Sequence, residues 1–567
     1  MPRAWIAAVL LAAVALGWGL GGYPLLEPDE GRNVEVAREM VRSGDWVLPH
    51  LNGLPYLDKP APYFAAVAVS MRVFGESEAA ARLASLAFIV GTALLVWRLG
   101  RRMGPSGTGE IAAVAFATMP LTIAFSRTVI PDPALAFLET LTLTAAWRGF
   151  TDERGADAWF AFAWAAMGTG AVTKGLAAII VPLLVLAVFG LVAGARLRPF
   201  FSIRAWPWLL VAGLPWFIGV SLRRPDFPRY AFVYESLERV ATTTHGRGGP
   251  IWYFVPVLLA GSFPWIVPAI AGAARALRGW RERRTPDARE AVFLASWTLV
   301  PLVFFSLSQS KLPGYYLPAL PGVALAAGLL LARARTDEML ARTVGRTAVV
   351  SGTLLLAFAA ALAAGAARTG SAAWLTPAER AAAPAFALAF AGVLVAAGAL
   401  ALWTARARRV VPFAALLALP VAAVPVVGGR MMNAIGQDRS SQALARTIER
   451  AAPGFRVAGV EAWPTSLRYY LDRPVLLASA TGREMTSNYV ASRLDEFRAV
   501  PASPLRPLDW WRTAVAVCDT ATVFVARRGS AVSDSLAVYL RLLGSGGAGG
   551  RFLAYGPCRP AGSEVPR

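Results

Sequence analysis

Long apolar runs alternate with short, arginine-bearing connectors over the first 430 residues, after which the pattern changes. The runs fall at Trp5–Leu20, Ala80–Leu99, Ile111–Phe125, Ala134–Trp147, Trp159–Val172, Leu176–Val192, Trp206–Val220, Trp252–Ala273, Ala291–Leu307, Tyr315–Leu331, Ala348–Ala366, Ala383–Trp403 and Val410–Val427. They predict a polytopic helical bundle of about thirteen membrane spans. No small-residue cleavage site follows the first run, so it reads as a retained helix. Tyr63–Phe74 is apolar but too short to cross, and reads as lying along the interface. From Arg439 onward the periods shorten. Ser440–Ala451 reads as an amphipathic helix. Arg456–Val460, Val475–Ala478, Ala514–Val517, Val523–Ala526 and Phe552–Tyr555 read as buried strands, with helices expected at Pro464–Leu471, Met485–Phe497 and Ser533–Leu543. This predicts a transmembrane domain over residues 1–430 and a small α/β domain over 431–567. Gly544–Gly550 reads as a flexible loop with no helix after it to hold a phosphate, so no nucleotide site is expected.

One stretch interrupts the apolar pattern early. Residues 23–79 form the first connector, and Leu26–Tyr63 within it is dense in charge. An amphipathic helix is expected here, with Val34, Ala37 and Val41 on one face and Arg32, Glu35, Arg38, Glu39 and Arg42 on the others, stopped by Ser43-Gly44.

Composition supports the membrane reading. Of 567 residues, 56% are hydrophobic and only 16% charged, and the mean hydropathy is +0.50. Soluble domains carry about a quarter charged residues. The net charge of +21 suggests an anionic partner. Most arginines lie between spans, where lipid headgroups and topology account for them, and no basic soluble domain with a nucleic-acid reading motif is present. Arg98, Arg101 and Arg102 share one side with Arg148 and Arg154, with Arg196, Arg198 and Arg204, and with the later clusters from Arg275, Arg333 and Arg406 onward. By the positive-inside rule that side and the N-terminus are cytoplasmic, and the α/β domain is outside.

Lysine is the sharper signal. Only Lys59, Lys174 and Lys311 occur among 56 basic residues, so each marks a place where a compact ammonium replaces a planar fork. All three fall on the outer face with Asp29, Glu30, Asp58 and Asp132. The adjacent acids Asp29 and Glu30 suit a general base beside a helix cap, one acid for each task. Asp132, between Pro131 and Pro133, suits either a cap or a second working acid. Lys59 and Lys311, near hydroxyls and prolines, suit a phosphate, whereas Lys174 is explained by snorkelling at a helix end. The outer loop Arg223–Pro250 contributes Arg239 and His245, and His245 with Asp58 suggests a structural divalent metal, a weak signal without repeated ligand spacing. Cys518 and Cys558 either pair in an oxidising compartment or remain buried thiols.

The run Asp-Glu-Gly-Arg with its following helix, then Ser-Gly-Asp-Trp-Val, Pro-His-Leu-Asn-Gly-Leu-Pro-Tyr and Asp-Lys-Pro, and later Ser-Lys-Leu-Pro-Gly-Tyr-Tyr-Leu-Pro, resembles the aminoarabinose transferase family of lipid A modification. That family is similar to the protein O-mannosyltransferases and shares their GT-C membrane fold. The resemblance, from Trp5 to about Val427, implies an inverting glycosyltransferase of the bacterial inner membrane that uses an undecaprenyl- or polyprenyl-phosphate sugar and needs no cofactor. The acceptor it implies is an outward-facing glycolipid, glycan or protein. Asp29 and Asp132 match the family's two loop acids. Arg32 and Lys59 match residues that meet the lipid phosphate, and Lys311 with Tyr315 match the later phosphate-side motif. Asp58 stands where the family often has Glu, which weakens a metal role. The rivals are a protein mannosyltransferase-like enzyme and a flippase for lipid-linked sugars, although transporter sites lie near the midplane rather than in outer loops.

The arginine alternation predicts that reporter fusions after Gly436 are active only on the outer side of the membrane. Activity confined to the cytoplasm overturns this topology.

Overall fold

The computed structural model describes residues 3–152, 154–231, 248–280, 286–369, 372, 375–407, 409–546 and 550–558. The chain divides into two compact units. One comprises residues 1–20, 82–371 and 383–429; the other comprises 21–81, 372–382 and 430–567. The first connector therefore belongs with the C-terminal region, where the sequence reading had placed it in a membrane domain ending at 430.

In chain order the elements begin with α1 (Arg3–Gly17), α2 (Asp29–Ser43), β1 (His50–Leu51), β2 (Leu54–Pro55), α3 (Ala61–Phe74) and α4 (Glu78–Met103). Then come α5 (Thr108–Ala117), α6 (Pro120–Ser126), α7 (Asp132–Thr151), α8 (Ala156–Lys174), α9 (Ala177–Ala193) and α10 (Trp208–Arg223). Among the described residues the first unit contains helices and no strand. Among the described residues six helices are long and apolar enough to cross a membrane, and eight if each of two bent pairs is one span. The bends, 63° between α5 and α6 and 109° between Phe254–Ser262 and Ile266–Ala276, each precede a proline, Pro120 or Pro264. Trp265 Nε1 donates to Thr118 Oγ1 (2.9 Å), joining one break to the other. Other expected spans coincide with helices that are shorter or more polar, among them α7, α9 and α10.

Two buried arginines hold the end of α1. Arg127 donates to the carbonyls of Ala15 (3.2 Å), Leu16 (3.4 Å) and Trp18 (2.9 Å), and Arg82 donates to that of Leu20 (2.9 Å). A helix C-terminus leaves its last carbonyls without partners, and a guanidinium satisfies several at once.

The second unit contains a six-stranded sheet in the order β5-β4-β3-β6-β8-β7. Its strands are β3 (Arg456–Val460), β4 (Val475–Ala478), β5 (Leu505–Arg506), β6 (Thr522–Arg527), β7 (Leu542–Gly546) and β8 (Phe552–Tyr555). The four strands β5, β4, β3 and β6 are parallel, and β8 and β7 close the sheet antiparallel. Three expectations need correction. Ala514–Val517 belongs largely to a helix, Trp510–Ala516, because Trp511 and Ala514 recur at helical spacing and both are buried. The expected helix over 485–497 is broken into Asn488–Ala491 and Leu494–Arg498, and Gly544 to Gly546 lie in β7 rather than in a loop. Cys518 and Cys558 form a disulfide, which ties the segment after β8 to the turn before β6.

α2 departs most from expectation. Gly44 ends it in the left-handed region at φ 71°, as a glycine stop requires. Its charged faces, however, are not solvated, for every residue from Glu30 to Met40 is buried. Arg468 lies 2.6 Å from Glu35 and 3.1 Å from Glu39, and Arg38 lies 2.6 Å from Glu35 and 3.0 Å from Asp472. Glu39 also accepts from the N–H groups of Asn52 (2.5 Å) and Gly53 (2.9 Å). Asn52 and Gly53, at φ 58° and 76°, make the two-residue turn of the β1–β2 hairpin. Burial pushes the Glu39 carboxyl above its ordinary value, Arg468 pulls it back, and the neighbouring Glu35 pushes it up further.

Arg468→Ala leaves two buried carboxylates short of a cation and is expected to destabilise this unit by about 3–5 kcal/mol. Arg42→Ala, which breaks only partly exposed pairs with Glu76 and Asp472, is expected to cost under about 1 kcal/mol. Thermal unfolding of the two variants checks the contrast, and equal stability refutes it.

Candidate functional site

In the second unit the candidate residues are set by the N-terminus of α2 and the loop before α3. Asp29 is the first residue of α2 and is half-exposed. Its carboxylate pairs with the buried guanidinium of Arg32, which also donates to Thr486 Oγ1 (2.9 Å). Burial works against the Arg32 charge, and Tyr56, Asp29 and Asp58 together more than restore it. Glu30 faces inward, and its Oε2 accepts from the Leu26 N–H (2.9 Å), so it secures the chain as it enters the helix. The two adjacent acids thus stand in different surroundings: one buried against backbone, the other at the surface beside a cation.

Asp58 accepts from the backbone N–H of Asn488 (2.6 Å) and of Tyr489 (3.4 Å), and from the Ser487 hydroxyl. It fastens the loop bearing Lys59 to the start of helix Asn488–Ala491. Lys59 is half-buried, and Pro60 (φ −67°, ψ 151°) leads directly into α3. The metal suggested for Asp58 and His245 gains nothing from this environment. Both Asp58 oxygens are taken up by donors, and the described residues hold no group of three or more His, Cys, Asp or Glu suited to a metal. His245 and Arg239 lie outside the described residues.

In the first unit a second group forms around Asp132. Pro131 takes the cap position, and Asp132 opens α7 with Pro133 behind it. The Asp132 carboxylate is ion-paired with the ammonium of Lys174, the last residue of α8. That ammonium also lies 5.0 Å from the centroid of the Tyr315 ring, a cation–π distance. Gly314 completes the group, because a Cβ there would overlap Asp132 Oδ1 and the ring of Phe125. Lys174, read from the sequence as a snorkelling residue, is therefore a central member. Its usable signal was the scarcity of lysine. Lys311 shows the reverse. Its ammonium donates to the carbonyls of Ser306 (3.0 Å) and Ser308 and so caps the helix ending at Leu307. Tyr315 packs on Phe305 at 5.4 Å, with its hydroxyl 3.4 Å from Ser310 Oγ.

Each group sets an acid against a cation, one exposed by half and one nearly enclosed. Such a pair can orient a nucleophile while offering positive charge to an anionic leaving group.

Residues 58–221 match the family model described as dolichyl-phosphate-mannose-protein mannosyltransferase. The chain is 35% identical over 316 residues to the undecaprenyl phosphate-alpha-4-amino-4-deoxy-L-arabinose arabinosyl transferase of Serratia proteamaculans, covering 54% of this chain and 55% of that one. The transferase of the same name from Yersinia enterocolitica is 32% identical over 326 residues, covering 55% and 56%. The matched chain spans about half the length of these curated relatives. Among solved structures, ArnT from Cupriavidus metallidurans in the apo state aligns over 97% of both chains with a TM-score of 0.79 and 26% identity. The same protein bound to undecaprenyl phosphate aligns over 100% of both with a TM-score of 0.81 and 24% identity. The chain is therefore a multi-pass membrane protein of the GT-C fold, akin to the aminoarabinose transferases.

Proposed function

We propose that this chain is an inverting glycosyltransferase of the bacterial inner membrane. It moves a sugar, the aminoarabinose named for its relatives, from undecaprenyl phosphate to a lipid A-type acceptor at the outer face. Thirteen spans, a cytoplasmic N-terminus and an external α/β unit belong to the same reading. The observation that carries it is the pairing of Asp132 with Lys174 beside Tyr315, in a chain similar to these transferases.

The acceptor oxygen, oriented by a carboxylate, attacks the anomeric carbon. The bond from that carbon to the lipid phosphate breaks, and its electron pair leaves with the phosphate. Arg32 and Lys59 offset the charge left there, as a fixed electrostatic clamp does. The acceptor proton, where there is one, passes to the carboxylate or to water. A single displacement inverts the anomeric centre and needs no sugar–enzyme bond.

The match of residues 58–221 to protein mannosyltransferases favours one alternative, a protein hydroxyl as acceptor. Purified protein incubated with undecaprenyl-phosphate aminoarabinose and lipid A should yield lipid A one aminoarabinose heavier. Modified peptide without modified lipid A favours the alternative, and no transfer to either defeats the reading.

Two variants probe the residues. Lys59→Ala is expected to weaken carrier-lipid binding by about ten- to a hundredfold, the loss of one charge-assisted contact, and Lys59→Arg to recover only part. Full activity of the alanine variant removes Lys59 from the phosphate site. Gly314→Ala pushes on Asp132 and is expected to lower turnover about tenfold or more, with a stability loss of about 1–3 kcal/mol. Unchanged turnover shows that the position of Asp132 is unimportant.

A further inference from the structure

In the second unit, Thr486 holds a backbone conformation that its side chain disfavours. Six of the described residues other than glycine have a positive φ, and Thr486, at φ 54°, is the β-branched one among them. That region crowds a branched Cβ against the backbone, whereas glycine enters it freely. The neighbours dictate the turn. The Met485 side chain is fully buried, the Thr486 N–H donates to the Arg483 carbonyl (3.0 Å), and Ser487 caps the helix Asn488–Ala491 by accepting from the Val490 N–H (3.3 Å). Thr486 itself is exposed, so no core packing compensates for its branched side chain. Backbone strain of this kind collects at ligand sites.

The Thr486 hydroxyl is the part with a task. The Arg32 guanidinium is buried and held at two points, one arm paired with Asp29 and the other donating to Thr486 Oγ1 (2.9 Å). A planar fork tied by one arm swings about that bond, and tied by both it has one orientation. Its Nε has no hydrogen-bond partner among the described residues, so a donor is left over. The same turn holds the loop of the second cation. Ser487 Oγ and the Asn488 N–H (2.6 Å) donate to Asp58, the residue before Lys59. Consecutive residues of one turn thus fix the two segments that bear Arg32 and Lys59. The turn lies in the connection leaving the carboxyl end of β4, and ligands of open α/β sheets bind outside the carboxyl ends of the parallel strands.

We propose that Thr486 is a positioning residue for a phosphate site, its hydroxyl orienting the Arg32 guanidinium toward a phosphate that Lys59 also meets. The proposal rests on the reading of the chain as a transferase with a polyprenyl-phosphate carrier, and it gives the α/β sheet a part in holding that phosphate. No proton moves and no covalent bond changes, and one hydrogen bond sets the angle of one cation.

Thr486→Gly removes the hydroxyl and relieves the backbone together, which separates positioning from a merely structural role. The full-length variant in detergent is expected to melt no lower than the wild type while binding undecaprenyl phosphate about tenfold more weakly. Thr486→Ser keeps the hydroxyl and is expected to bind within about twofold of the wild type. Added to Arg32→Ala, Thr486→Gly is expected to weaken binding no further, because Thr486 acts through Arg32. Unchanged affinity of the glycine variant, a loss that only follows a lower melting temperature, or additive losses in the double variant overturns the proposal. Undecaprenyl phosphate bound by the wild type without transfer of sugar to any acceptor defeats the transferase reading and leaves the phosphate site standing. A wild type that does not bind the carrier overturns both.

Discussion

A charge taken out of water has to meet opposite charge or a set of oxygens, and both units are built around that requirement. In one, Arg468 lies between Glu35 and Glu39 while Arg38 bridges Glu35 and Asp472. In the other, Arg127 gathers the last carbonyls of α1, Lys311 those at the end of its helix, and Lys174 the carboxylate of Asp132. Buried pairs of this kind add little net stability compared with apolar packing, but losing one partner is expensive. They therefore act as constraints on arrangement. Each fixes which segment lies beside which.

The choice between the two cations follows acceptor geometry. Arg127 spreads one guanidinium over three carbonyls, and Arg468 reaches two carboxylates and the Asn52 amide oxygen. Lys174 meets a carboxylate on one side and an aromatic face on the other, where a planar fork has less room and a point charge fits. In a chain that otherwise uses arginine, the rare lysines mark enclosed positions, and two of the three are side-chain-buried or nearly so.

Much of the architecture was legible because it is local. The strands at Arg456–Val460, Val475–Ala478 and Phe552–Tyr555 lie where short apolar runs flanked by polar residues place them, and α2 stops at the predicted glycine. Local pattern failed where a run of four apolar residues fits helix and strand equally, as at Ala514–Val517. It failed more seriously where partners are remote. Arg38 is in reach of Glu35 by local spacing, but nothing near Glu35 and Glu39 announces that they share the remote Arg468, so a buried helix reads as an amphipathic surface one. At the candidate site the acids were visible by their spacing from prolines and glycines. The exchange of roles between Lys174 and Lys311 was not, because it depends on which helix end stands opposite which carboxylate.

The bond from Arg468 to Glu35 spans 433 residues of sequence. A ribosome adding about 5–20 residues per second needs roughly 20–90 s to cover that distance. Through that interval α2 is already made, with its acids and arginines in place, yet its principal cation does not exist. Until then the buried face carrying Val34, Ala37 and Met40 lacks part of its surroundings, and a helix this short has little stability alone. The segment that supplies Asp29 and Lys59 therefore cannot complete its charge pairing until Arg468 has been made, although it is translated almost first, and any interruption of synthesis before Arg468 leaves Glu39 without that cation.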